Sequence, residues 1–332
     1  MKGCIVGNSH LAALKLGWKE IAHDFPKIEL DFFGSHRDSM MRTEVRDGRL
    51  VALDAGVRSK LEITGGAPDI ELARYDFFAI VGMGFGLHPA LAIFESHAIP
   101  SFRAGDRQII SEASFTDAMS DALRGSTAGH IYWLLYTETS APILIIPQPL
   151  NAEGILKAAR RGVIYKKIKR LGLEKRISEI YSTASLAALS GHTDIVYQPP
   201  ETVASRIFTK DIYSDGSVRL NQALDRQHSE ADHAHMNARY GKVMLRELIA
   251  RIDAVGIAPK SAARTEGSSP AAGERRVMDK PVPATALTAK VNAAREERKH
   301  KKSRKSGQSA NREKKPKSLW RRIKRKLLRR GP

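Results

Sequence analysis

Near its N-terminus the chain reads Gly3-Cys4-Ile5-Val6-Gly7-Asn8-Ser9-His10. Gly3 to Val6 is a short apolar run of the kind that fills a buried strand. Gly7-Asn8-Ser9 ends the run. Leu11, Leu14, Trp18, Ile21 and Phe25 then recur at helical spacing and mark one apolar face. Pro26 stops that helix, and Ile28-Glu29-Leu30-Asp31-Phe32-Phe33 reads as a second strand. Strand, helix and strand with short joins make a βαβ unit, so the spacing predicts a parallel sheet with helices on its faces. Ser9 falls where the first strand meets the helix start. A hydroxyl there can stand clear of the sheet edge, and helix-start N–H groups face any anion that forms. A serine at that position also serves as a plain helix N-cap, which needs no chemistry.

Further along, Glu44 to Leu53 alternates around Asp47-Gly48, a hairpin turn. Phe77-Phe78-Ala79-Ile80-Val81 is another inner strand, and it ends in Gly82-Met83-Gly84-Phe85-Gly86. That glycine run has the spacing of neither a Walker loop nor a dinucleotide fingerprint, but it leaves backbone exposed at the same sheet edge as Ser9. Ser111 to Leu123 and His130 to Tyr136 read as helices. Pro142 to Ile146 reads as the next buried strand, stopped by Pro147-Gln148-Pro149, which puts Gln148 at the edge. Residues 151–192 read as a helical, basic insertion. Asn151 to Glu179 alone holds 9 Lys+Arg against 3 Glu, either a solvated helix face or a surface for an acidic glycan or a phosphate-bearing donor. Asp194 to Tyr197 reads as a last strand. A polar loop leads to Asp232-His233-Ala234-His235-Met236-Asn237 and a helix running to about Val255.

The net charge of +19 is not spread evenly. From Pro259 onward there are 24 Lys+Arg against 6 Asp+Glu, which leaves 31 against 30 for Met1 to Ala258. A near-neutral domain, 1–258, therefore carries a basic tail, and the basicity says nothing about the chemistry of the domain. Residues 259–317 have the composition of a disordered linker. Residues 318–330 place Trp320, Ile323 and Leu327 on one face of a basic amphipathic helix, suited to an anionic membrane surface or another polyanion. Cys4 is the only cysteine, which excludes an intrachain disulfide. No signal peptide is legible, and no run nears the roughly 18 apolar residues of a membrane span. The expected location is cytoplasmic, peripheral to the inner membrane through the tail.

The chemistry-bearing set is Ser9 with Asp232-x-x-His235. A serine hydroxyl attacks at neutral pH only when a base takes its proton, an imidazole suits that task, and a carboxylate on the other ring nitrogen fixes its tautomer. His228, Asp232, His233 and His235 also have the composition of a metal site, but no second cluster completes one. Neither a metal nor a cofactor is expected. His10, next to the serine, is a candidate supporting residue.

Gly7-Asn8-Ser9, Asp232-x-x-His235 and the continuation Met236-Asn237 and Tyr240-Gly241 together resemble the SGNH (GDSL-like) hydrolase superfamily over about Met1 to Val255. The resemblance implies a three-layer α/β/α sandwich with a mostly parallel, flavodoxin-like sheet. It implies Ser9 as nucleophile, His235 as base and Asp232 as its partner, with an oxyanion hole from the Ser9 and Gly84 N–H groups. Two departures stand out. Asn8 replaces the usual Asp, and Pro147-Gln148-Pro149 occupies the place of the GxND block, so that either Gln148 is the third donor or that donor is missing. The implied activity is cleavage of an O-acyl ester, above all O-acetyl, on a carbohydrate. The alternatives are an O-acyltransferase that modifies a polysaccharide and a catalytically decayed carbohydrate-binding protein.

Overall fold

A computed structural model describes residues 1–36, 39–102, 107–189, 194–221 and 226–259. The linker and the amphipathic segment expected at 259–317 and 318–330 lie outside the described residues, apart from Pro259. Five parallel strands form the central sheet: β1 (Lys2–Gly7), β2 (Glu29–Gly34), β3 (Phe77–Val81), β4 (Ile143–Ile146) and β5 (Asp194–Ile195). Their order across the sheet is β5-β4-β3-β1-β2. The chain steps outward one way from β1 to β2 and the other way from β1 to β3. In open α/β sheets such a reversal is where ligands bind, at the carboxyl ends of the two strands that flank it, here β1 and β3. Registers of Val6 with Ile80 and of Ile80 with Ile145 align the three inner strands.

Eight α-helices lie among the described residues: α1 (Leu11–Ile21), α2 (Ala55–Gly65), α3 (Leu87–Ser96), α4 (Glu112–Arg124), α5 (Thr127–Glu138), α6 (Gly162–Arg170), α7 (Glu174–Ala188) and α8 (Ala238–Ala254). Because strand side chains alternate, Cys4, Val6, Phe78, Ile80 and Ile145 enter one apolar cluster, with residues of α2 to α7. Ile5, Phe77, Ala79, Val81 and Leu144 enter another, with residues of α1 and α8. Both faces are thus covered, as the continuous apolar runs in β1, β3 and β4 require. Tyr165, Ile168, Ile177 and Ile180 bring the basic stretch of α6 and α7 into the first cluster. Its lysines and arginines lie on the helix faces away from that core.

The hairpin expected around Asp47-Gly48 is present, with strands Thr43–Arg46 and Arg49–Ala52 and both turn residues at positive φ. Two helices have no counterpart in the sequence reading. In α2, Asp54 caps the amides of Gly56 and Val57 at 2.9 and 3.1 Å. In α3, Pro89 falls inside the first turn, where its missing N–H has no intrahelical partner to lose. Among the described residues no helix is long and apolar enough to cross a membrane.

Candidate active site

Ser9 follows the last residue of β1 by two positions and precedes α1 by two. It is not the cap of that helix. His10 occupies the N-cap position without a side-chain bond, and the Ser9 hydroxyl is turned elsewhere. Ser9 Oγ lies 2.8 Å from His235 Nε2. His235 Nδ1 lies 2.9 Å from Asp232 Oδ2. The other carboxylate oxygen, Oδ1, accepts the amides of Ala234 and His235 at 2.9 and 3.0 Å. An Asp-x-x-His turn therefore holds its own carboxylate and imidazole in register. With Nδ1–H donated to Asp232, Nε2 carries the lone pair that faces the serine.

The loop reaches Ser9 because the helices on either side pack against each other. α1 starts just after Ser9 and α8 starts just after His235. They meet near their N-terminal ends, where Gly241 lies against the Ala13 carbonyl and Gly17 against the backbone of Gly241 and Lys242. Asn237 sets the start of α8. Its Oδ1 caps the Tyr240 amide at 3.2 Å, and its Nδ2 donates to the carbonyls of Ile212 and Asp215 at 2.9 and 2.8 Å.

His235 is sandwiched between two further imidazoles. His228 stacks on it at 4.0 Å between ring centroids, 7° from parallel, and His10 stacks at 5.1 Å. His228 also places Nδ1 3.1 Å from the same Asp232 Oδ2. The sequence marked His228 only as part of a metal-like composition. Its place here depends on the bridge of Val218 to Gln227 and on the bond from the His228 amide to the Ser217 carbonyl, which no short spacing reveals. His233 goes the other way. Its carbonyl accepts the Ala152 amide at 2.7 Å and its ring lies beside Gly154.

Burial pushes the Asp232 carboxyl up. The hydrogen bond and charge of His235 and the two backbone N–H groups more than offset this, and its pKa falls well below the usual carboxylate range. Asp232 is therefore ionised at any working pH. Burial, reinforced by His235, lowers His10 to about 3, against a smaller upward pull from Asp232. Burial and the neighbouring His235 also lower His228. Both flanking imidazoles are neutral at pH 7, so neither places a full charge against the central ring.

This has a consequence for stability. An unfolded histidine titrates near 6.5. Between that value and about 3 the unfolded chain holds a proton that folded His10 does not. The contribution is therefore complete above pH 6.5 and is lost as pH falls, by about 2 kcal/mol from His10 alone on going to pH 5. His228 adds a loss of the same sign. Urea unfolding at pH 7 and pH 5 should show that drop in the wild type and a smaller one in His10→Phe, which keeps a ring but cannot titrate. Equal drops would overturn the account.

Gly82, Met83 and Gly84 all have positive φ, at 69°, 47° and 84°. For Met83 this costs about 1–2 kcal/mol, and its buried side chain anchors the turn in the core. A Cβ on Gly82 would sit 2.7 Å from the His10 ring and 2.9 Å from Asn8 Oδ1. Gly82 is thus the residue that lets this turn close over the serine loop. The Gly84 amide, like that of Ser9, donates to no acceptor among the described residues. Asn8 Oδ1 accepts the His10 amide at 3.3 Å, a structural bond that an Asp would make equally well. Gln148 lies against Gly86, its amide donating to the Phe85 carbonyl at 2.6 Å. Its side chain has no hydrogen-bond partner among the described residues.

One ligand atom each from His228, Asp232 and His235 falls within 4.8 Å of the others, so the trio could hold a cation. The bonds already present serve a different purpose. Asp232 Oδ2 takes both imidazole Nδ1 groups, and His235 Nε2 faces a hydroxyl. No family model, no curated protein and no solved structure matches this chain.

Proposed function

We propose that this protein is a serine hydrolase of the SGNH type, with the three-layer α/β/α sandwich of that superfamily, which cleaves an O-acyl ester, above all an O-acetyl ester, on a carbohydrate. One observation carries the reading. Ser9 Oγ, His235 Nε2, His235 Nδ1 and Asp232 Oδ2 form an unbroken hydrogen-bonded line of 2.8 and 2.9 Å at the carboxyl edge of the sheet.

In the reaction, His235 Nε2 takes the proton of Ser9 as Oγ bonds to the ester carbonyl carbon. The carbonyl oxygen becomes an oxyanion, facing the free backbone amides of Ser9 and Gly84, with the Gln148 side-chain amide as the third donor. As the carbon–oxygen bond to the alcohol breaks, His235 returns the proton to the leaving oxygen. Water, deprotonated by the same nitrogen, then attacks the acyl-Ser9 carbonyl. Serine leaves with the proton, and the carboxylic acid is released. Asp232 stays ionised throughout and stabilises the imidazolium.

A fluorophosphonate probe should label the wild type and leave Ser9→Ala unlabelled. Equal labelling of both would overturn the assignment. Release of p-nitrophenol from short acyl esters, measured with and without sugar acceptors, separates hydrolysis from acyl transfer.

A further inference from the structure

A cavity of about 420 Å3 opens beside Gln148 at the carboxyl edge of the sheet. That volume lies in the range of small-molecule sites. β4 is the second neighbour of β1, so Gln148 stands roughly 10 Å along the edge from the serine strand, from the usual strand spacing. Of the residues assigned to the Ser9 site, Gln148 alone borders this cavity. Three separate elements build its wall. Gln148 follows β4. Ser178 and Tyr181 share one face of α7, three residues apart. Ser205 and Arg206 form the turn between the short strands Val203–Ala204 and Phe208–Thr209.

We propose that this cavity is a subsite for an anionic glycosyl group, whose negative charge is met by Arg206. Three features support it. The wall mixes hydroxyl and amide groups with tyrosine rings, Tyr197 being more than one-third exposed, as a polyhydroxylated ring with one apolar face requires. Arg206 has no ion-pair partner among the described residues, and no carboxylate lies among the lining residues. Ser205 and Arg206 both hold positive φ, 45° and 64°, where glycine would be free of strain. Glycine there would relax the turn but lose the guanidinium.

The sugar chemistry rests on the proposed esterase reading, but the site is tested by binding alone. Calorimetry at physiological salt would use the full chain with three probes: trigalacturonate, glucose 1-phosphate and the neutral maltotriose. At least one anionic probe should bind, with maltotriose at least tenfold weaker. A carboxylate-bearing ligand is indicated if trigalacturonate binds the more tightly, and a phosphate-bearing one if glucose 1-phosphate does. Arg206→Gln should weaken anion binding at least tenfold at an unchanged melting temperature. Anion binding that survives Arg206→Gln belongs to the basic C-terminal residues and overturns the proposal. So does equal binding of maltotriose, or no binding of any probe. Ser9→Ala should bind as the wild type does. Fluorophosphonate labelling without anion binding sinks the subsite alone. Anion binding without labelling sinks the esterase reading and leaves the subsite standing.

Discussion

His235→Ala should lower kcat for ester hydrolysis by roughly 10^4- to 10^6-fold, the scale on which Ser-His-Asp sites lose rate when the base is removed. His233→Ala, two residues away in the same loop, should leave the rate within a few-fold of wild type. The contrast follows from orientation. His235 faces Ser9 on one nitrogen and Asp232 on the other, whereas His233 packs beside Gly154 on the far side of the loop. His228→Ala should fall between them. It removes a hydrogen bond to an ionised carboxylate, about 1.5–3 kcal/mol, but the amides of Ala234 and His235 and the His235 ring still hold Asp232. Steady-state kinetics on one p-nitrophenyl ester, with circular dichroism to confirm folding, ranks all three. A loss in His233→Ala equal to that in His235→Ala would overturn the assignment of the base.

What the sequence made legible follows a physical rule. β1, β3 and β4 are buried on both faces, so each is an uninterrupted apolar run ended by glycine or proline, and each is legible directly. The Asp232 to His235 contact is local, one turn closed by two backbone amides, and so appears as a spacing. The contact of Ser9 with His235 joins residues 226 apart, so no spacing encodes it; the two come together only through the base and carboxylate that a serine nucleophile requires, and through the resemblance. α2 stayed hidden because only Val57, Leu61 and Thr64 of its residues are buried, a stripe too thin to stand out. α3 stayed hidden because Pro89 reads as a breaker, although a first-turn position tolerates it. Two features of the site lie deeper still. The stacking of His10 and His228 on either side of His235 comes from elements far apart in the chain. Arg206 reaches the cavity wall through a strained turn that resembles any other surface loop in sequence. The sequence points to the glycine run after β3 for its exposed amides, and the Gly84 amide donates to no acceptor among the described residues. The tightest steric demand in the run falls on Gly82, which only the packing of Asn8 and His10 reveals.

The junction that joins the two halves of the site is itself testable. Gly241→Ala should destabilise the protein by about 2 kcal/mol net, and it should cut kcat by about a hundredfold. Alanine in place of a helical glycine ordinarily stabilises by about 0.8–1 kcal/mol. Here the added methyl would run into the Ala13 carbonyl oxygen and the Leu14 amide on α1. Backbone atoms of a packed helix cannot swing aside as a side chain can, so overpacking of about 3 kcal/mol outweighs the propensity gain. Relief requires α8 to move away from α1. Ser9 precedes α1 by two residues and His235 precedes α8 by three, so that movement separates the two groups that must exchange a proton. A displacement of 1 Å in such a pair costs on the order of 10^2 in rate. Glu247→Ala, on the exposed face of the same helix, tests propensity without the collision and should change neither stability nor rate appreciably. Thermal or urea unfolding together with ester kinetics reads both effects. A Gly241→Ala protein as stable and as active as the wild type would mean that the two helices do not approach as closely as the geometry requires. The route by which the Asp232–His235 turn reaches Ser9 would then have to be sought elsewhere in the fold.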